Sequence, residues 1–536
     1  MKCPSSKTVF ASYFLYLSLI LAAAAAAIAA ARPGGAGAVG PGLQKYLASH
    51  PAADRVPVWV FFIDKGITSA GRLRRAVDRE RAQISERALS RRSRVRAGVE
   101  RDDLPVHGEY ISAVRTAGLE LRRTSRWLNA VSGNVPRERL SELSALPHVK
   151  SVRLLRQRRP RRPDLEAQIM TDYGLSRNQL ELINVPAAHA MGYSGYGVLI
   201  ALLDTGFSLE HEALSDVDIA AEYDFIFDDE DTRNDPAVDE LQQDTHGTAV
   251  LSVIGGRAPE RLIGPAFNAS YLLAKTEDVR GETVIEEDHW VSAIEWAERL
   301  GADIVSSSLG YYDWYKYEDM DGNTAVTTVA ADRAVAKGMV VCVSAGNERD
   351  GPWYYIGAPA DADSVIAVGA VNSKGVITAF SSAGPTADGR IKPEVVAQGS
   401  GVVAANARKA NDYLSTAGTS MSAPLVAGAA ALVIEAHPRW TPMQVRQALI
   451  STADRATQPD NLYGYGLVDA AAAIEYRQDG DVNGDDCRDL ADLLSAAEIA
   501  LESGPALPQA RRAADLNKDD RVDVLDLVEL ARTLKP

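Results

Sequence analysis

Cysteine is almost missing from this 536-residue chain: there are three, Cys3, Cys342 and Cys487. Thiols that scarce and that scattered build no disulfide framework, so any staple the fold needs is something other than sulfur. Aromatic residues are also few, at 7 %, and they do not interleave with the basic stretch described below, which argues against nucleic-acid binding. Long apolar runs are absent after residue 31. The one run before it, Val9–Ala31, follows Lys2 and Lys7 and ends in Ile28-Ala29-Ala30-Ala31. A positive start, an apolar middle and a small-residue end are the layout of an export signal. The run is long for a signal, so an uncleaved membrane anchor is the alternative, and contact with a membrane is expected only in that case.

A hydrophobic fraction of 46 % and a charged fraction of 24 % are those of a globular protein, and the length calls for about three domains. The net charge of −15 conceals a split. Residues 32–163 carry 28 Lys and Arg against 12 Asp and Glu, whereas residues 164–536 carry 27 against 60. Two parts of one chain that attract each other explain this better than a nucleic-acid-binding arm. In the basic part, "VPVWVFFI" (56–63), the region 122–136 and "VKSVRLL" (149–155) read as strands, while about 70–99 and 137–146 read as helices. That mixture predicts a small α+β unit. The tract "RQRRPRRP" (156–163) reads as an exposed linker open to proteolysis.

From about Ile169 to Tyr476 short apolar strands, at 198–204, 271–276, 302–310 and 338–346, alternate with helical stretches such as Thr248–Ile254, Trp290–Leu300 and Ala325–Lys337. The pattern predicts an α/β domain with a parallel sheet covered on both faces. Functional groups then belong at the carboxyl ends of the strands.

Three such positions carry chemistry. Asp204 ends a strand in "ALLDTGF", His246 opens a helix in "DTHGTAV", and Ser420 opens another in "AGTSMSAPLVAG". A serine attacks only when a base takes its proton, and a buried carboxylate orients and supports that base. Taken singly, each residue also reads as a turn or capping residue, and Pro424 as a first-turn proline. Asp204-Thr205-Gly206 further matches the aspartic-peptidase signature, but that chemistry needs a second such motif in a mostly β chain, and the sequence has neither.

"ALLDTGF", "DTHGTAV", "SAGN" and "GTSMSAPLVAG", in this order, resemble the motifs of the subtilisin-like serine proteases, the subtilases. The likeness covers roughly residues 170–476. It implies a subtilisin-like fold with Asp204, His246 and Ser420 as the triad and Asn347 as an oxyanion-hole donor beside the Ser420 amide. It also implies that "SSSLG" (306–310), with Ser308, Leu309 and Gly310, is an edge strand on which extended polypeptide substrates lie. Ser344, Ala345, Gly346 and Gly357 then line the pocket for the residue before the scissile bond. None of these is acidic, so a strict preference for Lys or Arg is not expected. The acidic loop 227–244 reads either as a calcium loop or as a solvated one. The basic region 45–163 resembles, more weakly, the pro-segments that fold with such peptidases and plug them as intramolecular inhibitors; a permanent accessory domain is the alternative.

The C-terminus is duplicated. "DVNGDDCRDLAD" (481–492) and "DLNKDDRVDVLD" (515–526) repeat one pattern at a spacing of 34 residues. Asp481, Asn483, Asp485, Asp489 and Asp492, with the Cys487 carbonyl, and Asp515, Asn517, Asp519, Asp523 and Asp526, with the Arg521 carbonyl, are oxygen sets suited to calcium. Two such loops, each running into an apolar helix, resemble a dockerin-type module, and through it a cohesin-like partner. Asp486 and Asp520 hold the sharp-turn position that usually carries glycine.

The expected organisation is a signal over 1–31, a pro-segment over 32–163, a peptidase over 164–476 and a calcium module over 479–536. The expected activity is that of a secreted endopeptidase, made as a zymogen, with no cofactor in its chemistry and calcium in a structural role. A non-catalytic surface scaffold assembled through the calcium module is the competing reading.

Overall fold

The computed structural model describes residues 38–39, 43, 47, 54–67, 69–154, 173–281, 283–486, 488–501 and 506–534. The signal reading of 1–31, the linker 156–163 and the Cys487 carbonyl lie outside the described residues. The chain forms two compact units.

The first unit takes in 1–66, 106–122 and 130–154. Its strands belong to a five-stranded sheet of β1 (Ala38–Val39), β2 (Arg55–Phe62), β3 (Glu120–Ser125), β4 (Ala130–Pro136) and β5 (Val149–Leu154), in the order β1-β5-β2-β4-β3. Central β2 runs antiparallel to β4 and β5, and Val58, Val60, Val131 and Val152 bury one face under Val114 and Leu143 of two short helices. The strand region expected over 122–136 is two strands, Glu120–Ser125 and Ala130–Pro136, with Asn129 between them at φ 49°. Helix Gly108–Thr116 was not expected; only Val114 is buried in it, too little to leave an apolar stripe in the sequence.

The second unit takes in 67–105, 123–129 and 155–536. Its centre is a seven-stranded parallel sheet of β6 (Leu199–Asp204), β7 (Asp218–Asp224), β8 (Ser270–Lys275), β9 (Ile304–Ser307), β10 (Val340–Ser344), β11 (Ile366–Val371) and β12 (Val395–Gln398). The order is β12-β11-β10-β9-β6-β8-β7. Every residue of β6 and β9 to β12 is buried, which is why apolar residues run together in these strands rather than alternating with exposed polar ones. The chain leaves β6 toward β7 and β8, then returns to its other side for β9, so β6 flanks the switch point of the sheet.

Two helices in the basic region, α1 (Ala70–Arg81) and α2 (Glu86–Arg94), replace the one expected over 70–99, because Ser85 caps a new start by accepting from Ala88 N at 3.1 Å. Helices α3 (Thr245–Gly255), α4 (Ile285–Leu300), α5 (Val326–Ala336) and α6 (Thr419–Ala436) cover the sheet, α3 packing on α6 and α4 on α5. Helix α6 is long and apolar enough to cross a membrane, contrary to the expectation that no later segment would be; 83 % of that stretch is buried in the core, which accounts for its composition. Helices α7 (Leu490–Ala500) and α8 (Val524–Thr533) follow the two acidic loops.

Within this unit several arginines of 67–105 and 123–129 end on buried acids. The Glu298 carboxylate of α4 receives Arg91, Arg92 at 2.8 and 2.9 Å, and Arg126 at 3.1 Å. Arg92 also forms a two-pronged pair with Asp103, both bonds 3.0 Å. Burial pushes Arg91 down to about 10. Burial would raise Glu298, yet the Arg92 hydrogen bond and the three guanidinium charges outweigh it and hold the carboxyl below its ordinary value. At Asp103 burial is likewise overcome, by hydrogen bonds from Arg92 and Lys337.

Candidate active site

Strand β6 delivers Asp204 to the carboxyl end of the sheet at its switch point, where open α/β sheets place ligands. The side chain is buried, and its Oδ1 accepts from the Thr205 amide and pairs with His246 Nδ1, both at 2.7 Å. Oδ2 is buried without a hydrogen-bond partner among the described residues. Gly247 makes this approach of α3 to β6 possible: a Cβ there would lie 2.2 Å from the Gly206 carbonyl oxygen and 3.1 Å from Asp204 Oδ1. Nδ1 faces a carboxylate, so it carries the proton, and Nε2 of the neutral ring is free to accept one. Burial disfavours the imidazolium, yet the Asp204 charge and hydrogen bond outweigh it and raise His246 above its ordinary 6.5. A carboxylate bound to an imidazole, on a parallel sheet, is the opposite of an aspartic-peptidase pair, in which two carboxyls share a proton.

Ser420 is the second residue of α6, whose N-cap Gly418 has φ 145° and offers no side-chain cap. Pro424 is therefore the sixth helical residue, not a first-turn residue as the sequence reading placed it. A proline there has no N–H for the carbonyl four residues back. That carbonyl is Ser420's own, and Ser308 Oγ donates to it at 2.8 Å, while Ser420 Oγ donates to the Ser308 carbonyl at 3.2 Å. The serine hydroxyl thus rests on the Ser308 carbonyl rather than on His246. Asn347 Oδ1 accepts from the amide and hydroxyl of Thr419 at 2.9 and 3.0 Å. This fixes the flip of the side chain and leaves its NH2 and the Ser420 amide as open donors. Thr419, which also receives the Gly346 amide at 3.1 Å, was not singled out in the sequence; a threonine before a serine carries no signal of this role.

A cavity of about 650 Å³ opens beside Ser420 and Asn347. Ser308, Gly310, Ser344, Gly346 and Gly357 line it, and Leu309 and Ala345 do not; Ala345 is buried, its amide bonded to the Val368 carbonyl at 3.0 Å. Asp313 and Glu348, which the sequence reading did not name, line it too. Residues 306–310 do not form the expected edge strand. Ser306 and Ser307 sit in central β9 between β6 and β10, and the segment beyond them leaves the sheet, Tyr311 pairing with Ala358.

The two C-terminal loops repeat each other in space. Asp492 Oδ1 accepts from the amides of Val482 and Asn483 at 2.8 and 3.1 Å, and Asp526 Oδ1 from those of Leu516 and Asn517 at 2.8 and 3.2 Å. Asp489 and Asp523 cap α7 and α8. Asp486 and Asp520 take φ 61° and 63°, the left-handed turn expected at that position. Among the described residues no three acidic or imidazole side chains converge as in a closed metal cluster. The donor set still fits a hard cation: Asp492 and Asp526 are wholly buried carboxyls, and burial, then the Asp492 charge, push Asp481 upward, a cost that a cation would remove. In the peptidase, Lys275 Nζ lies 2.8 Å from both Asp224 and Asp239, so a lysine of the chain already neutralises part of the acidic loop.

Comparison with known proteins agrees with this geometry. The profile of the Subtilase family, peptidase S8, matches residues 195–466; that of the Peptidase S8 propeptide domain, Bacteroidota, matches 57–168; and that of the Dockerin type I domain matches 479–535. Subtilisin E of Bacillus subtilis is 32 % identical over 363 residues, covering 67 % of this chain and 84 % of its own. A subtilisin of Bacillus pumilus is 34 % identical over 305 residues, 56 % of this chain and 98 % of its own. A solved structure of proteases from Pseudoalteromonas arctica is 24 % identical, covers 56 % of this chain and 97 % of its own, and has a TM-score of 0.45. The matched family and these subtilisins are serine-type endopeptidases, and that is the class of this chain. The chain belongs to the subtilase family, with an S8 pro-segment before the peptidase and a dockerin region after it.

Proposed function

We propose that the chain is a secreted zymogen whose peptidase cuts polypeptides through Asp204, His246 and Ser420. The observation that carries this reading is the Asp204–His246 bond of 2.7 Å at the switch point, with α6 presenting Ser420 beside the Asn347 amide. In the reactive arrangement the Ser420 hydroxyl turns from the Ser308 carbonyl to His246 Nε2. Ser420 Oγ then bonds to the substrate carbonyl carbon as its proton passes to Nε2, and Asp204 stabilises the resulting imidazolium. The oxygen that gains charge takes hydrogen bonds from the Asn347 NH2 and the Ser420 amide. The C–N bond breaks as His246 protonates the leaving amine, and water, activated by the same imidazole, releases the acyl group.

In this reading residues 1–31 are the signal, 32–163 the removable pro-segment, 164–476 the peptidase and 479–536 the calcium module. Asp481, Asn483, Asp485, Asp489 and Asp492, and their counterparts Asp515, Asn517, Asp519, Asp523 and Asp526, would hold one calcium per loop. The ion supplies cross-links within its loop and enters no chemical step. A cohesin-like partner at the cell surface or outside the cell fits the dockerin region.

The test is covalent labelling of the processed protein with a fluorophosphonate, beside Ser420→Ala. Labelling of the parent alone is the expected result. An unlabelled parent, folded and free of its pro-segment, would sink the catalytic reading and favour the scaffold.

A further inference from the structure

The helix that presents Ser420, α6, ends on His437, its C-cap. The imidazole lies between two acceptors, Nδ1 2.7 Å from Asp486 Oδ1 and Nε2 2.8 Å from the Ile474 carbonyl oxygen. Trp440, part of the peptidase core, stacks flat on that ring with centres 3.8 Å apart. Its Nε1 donates to the same Asp486 oxygen at 2.9 Å. Asp486 belongs to the first acidic loop, so the far end of the serine helix is bonded directly to that loop. Within the loop the Asp486 amide donates to Asp481 Oδ2 at 3.2 Å, which ties this anchor to the first candidate calcium ligand. The junction is clamped as well. The Arg477 guanidinium donates to the Val482 carbonyl, and the Arg512 guanidinium lies 3.9 Å from the centre of the Tyr476 ring and donates to its hydroxyl at 3.0 Å. Tyr476 is again a residue of the peptidase core. The second loop provides the contrast. Asp520 makes the same left-handed turn, and its amide donates to Asp515 Oδ2 at 3.0 Å, yet Asp520 is exposed.

We infer that Asp486 docks the first calcium loop onto the end of α6, so that calcium in that loop and the folded peptidase stabilise each other, while the second loop acts alone. The inference rests on the calcium reading of these loops. Without a cation the carboxylates of Asp481, Asp485 and Asp492 repel one another, and the loop favours looser conformations. A hard cation draws the same oxygens together and fixes the turn from which Asp486 reaches His437 and Trp440. Ion and docking surface favour one conformation, so each strengthens the other by the same free energy. A module on a slack tether would bind calcium and pass nothing on.

The experiment uses the full-length precursor carrying Ser420→Ala, so that no self-cutting intervenes. All seven tryptophans precede residue 441. Tryptophan emission followed on heating therefore reads the peptidase and pro-segment and is blind to the calcium module itself. Calorimetric titration counts the calcium ions bound per chain. Calcium at about 100 times its Kd should raise the emission midpoint by about 2–5 °C. Asp520→Gly should keep that rise, and Asp486→Gly should lose about half of it or more. Trp440→Phe alters no residue of the loop, so it should bind as many ions as the parent and still lose a similar share; it decides the matter where Asp486→Gly fails to fold or to bind. A rise that Asp486→Gly and Trp440→Phe both keep comes from an ion elsewhere and overturns the inference. So does an equal loss in Asp520→Gly, or a parent that binds two ions without any rise. In each of these cases the calcium reading stands. A precursor that binds no calcium overturns both.

Discussion

Asn347 is oriented by Thr419 alone among the contacts its oxygen makes, both 3.0 Å or shorter, so its NH2 is aimed before substrate arrives. Replacing Asn347 by Ala should lower kcat by about 10²- to 10³-fold with little change in KM, measured by steady-state kinetics on a peptide amide, since the lost interaction belongs to the transition state. The pH profile follows from His246. Its raised value means the ring is still protonated just above 6.5, and a protonated ring cannot act as base. Activity should therefore fall as pH drops through that raised value. Asp204→Asn removes the charge and the charge-assisted character of the hydrogen bond that raise it, leaving burial, which lowers it. The residual activity, about 10⁴-fold weaker, should keep its acidic limb at lower pH than the parent's; a limb that does not move would break the argument. The motif residues were legible because each stands in a short stretch with a specific shape. Their supports were not: Thr419, Ser308 toward the Ser420 carbonyl, and the acids Asp313 and Glu348 reach the site through folding of distant segments, which no local pattern records.

At the scale of elements, burial decided part of what could be read. Strands β6 and β9 to β12 are buried along their whole length; β6, β9 and β10 were read to within a few residues, whereas β11 and β12 were not expected. Where exposure is high the reading failed: α1 and α2 merged into one helix, and Gly108–Thr116 went unseen. Helix α6 carries the most constraint, fifteen of its eighteen residues being buried. At Gly428 an added Cβ would sit 2.2 Å from Cγ of Pro265 and 2.9 Å from its Cβ, atoms of a ring that cannot swing aside. Gly428→Ala should thus destabilise the peptidase by about 1–3 kcal/mol despite the gain in helix propensity. Thermal unfolding reads the effect, and an unchanged or higher Tm would refute the packing argument.

For the whole molecule, the charge split seen in composition became specific only in space. A few arginines of the basic segment end on buried acids of the peptidase, with Glu298 serving Arg91, Arg92 and Arg126 at once. Glu298→Ala leaves three guanidinium groups without their shared partner, a loss of about 3–5 kcal/mol for a buried pair broken on one side. The variant peptidase should bind separately added pro-segment far more weakly, measured as an inhibition constant; equal inhibition would place the grip elsewhere. Acid should loosen the same grip. Glu298 and Asp103 lie below their ordinary 4.5 and 3.8 in the folded chain, so their contribution is complete above those values and is lost as pH falls through the lowered ones. At neutral pH the grip should hold.

Those buried pairs also give maturation a direction. While pro-segment and peptidase are one chain, the cost of stripping water from Glu298 and its arginines is met once, during folding. In the proposed zymogen the connection is cut and the fragment drifts away; both sides then rehydrate, and a return must dehydrate every charge again and also surrender the freedom of an independent molecule. The feature that holds the precursor shut then acts as a ratchet, easy to pass once and hard to pass back.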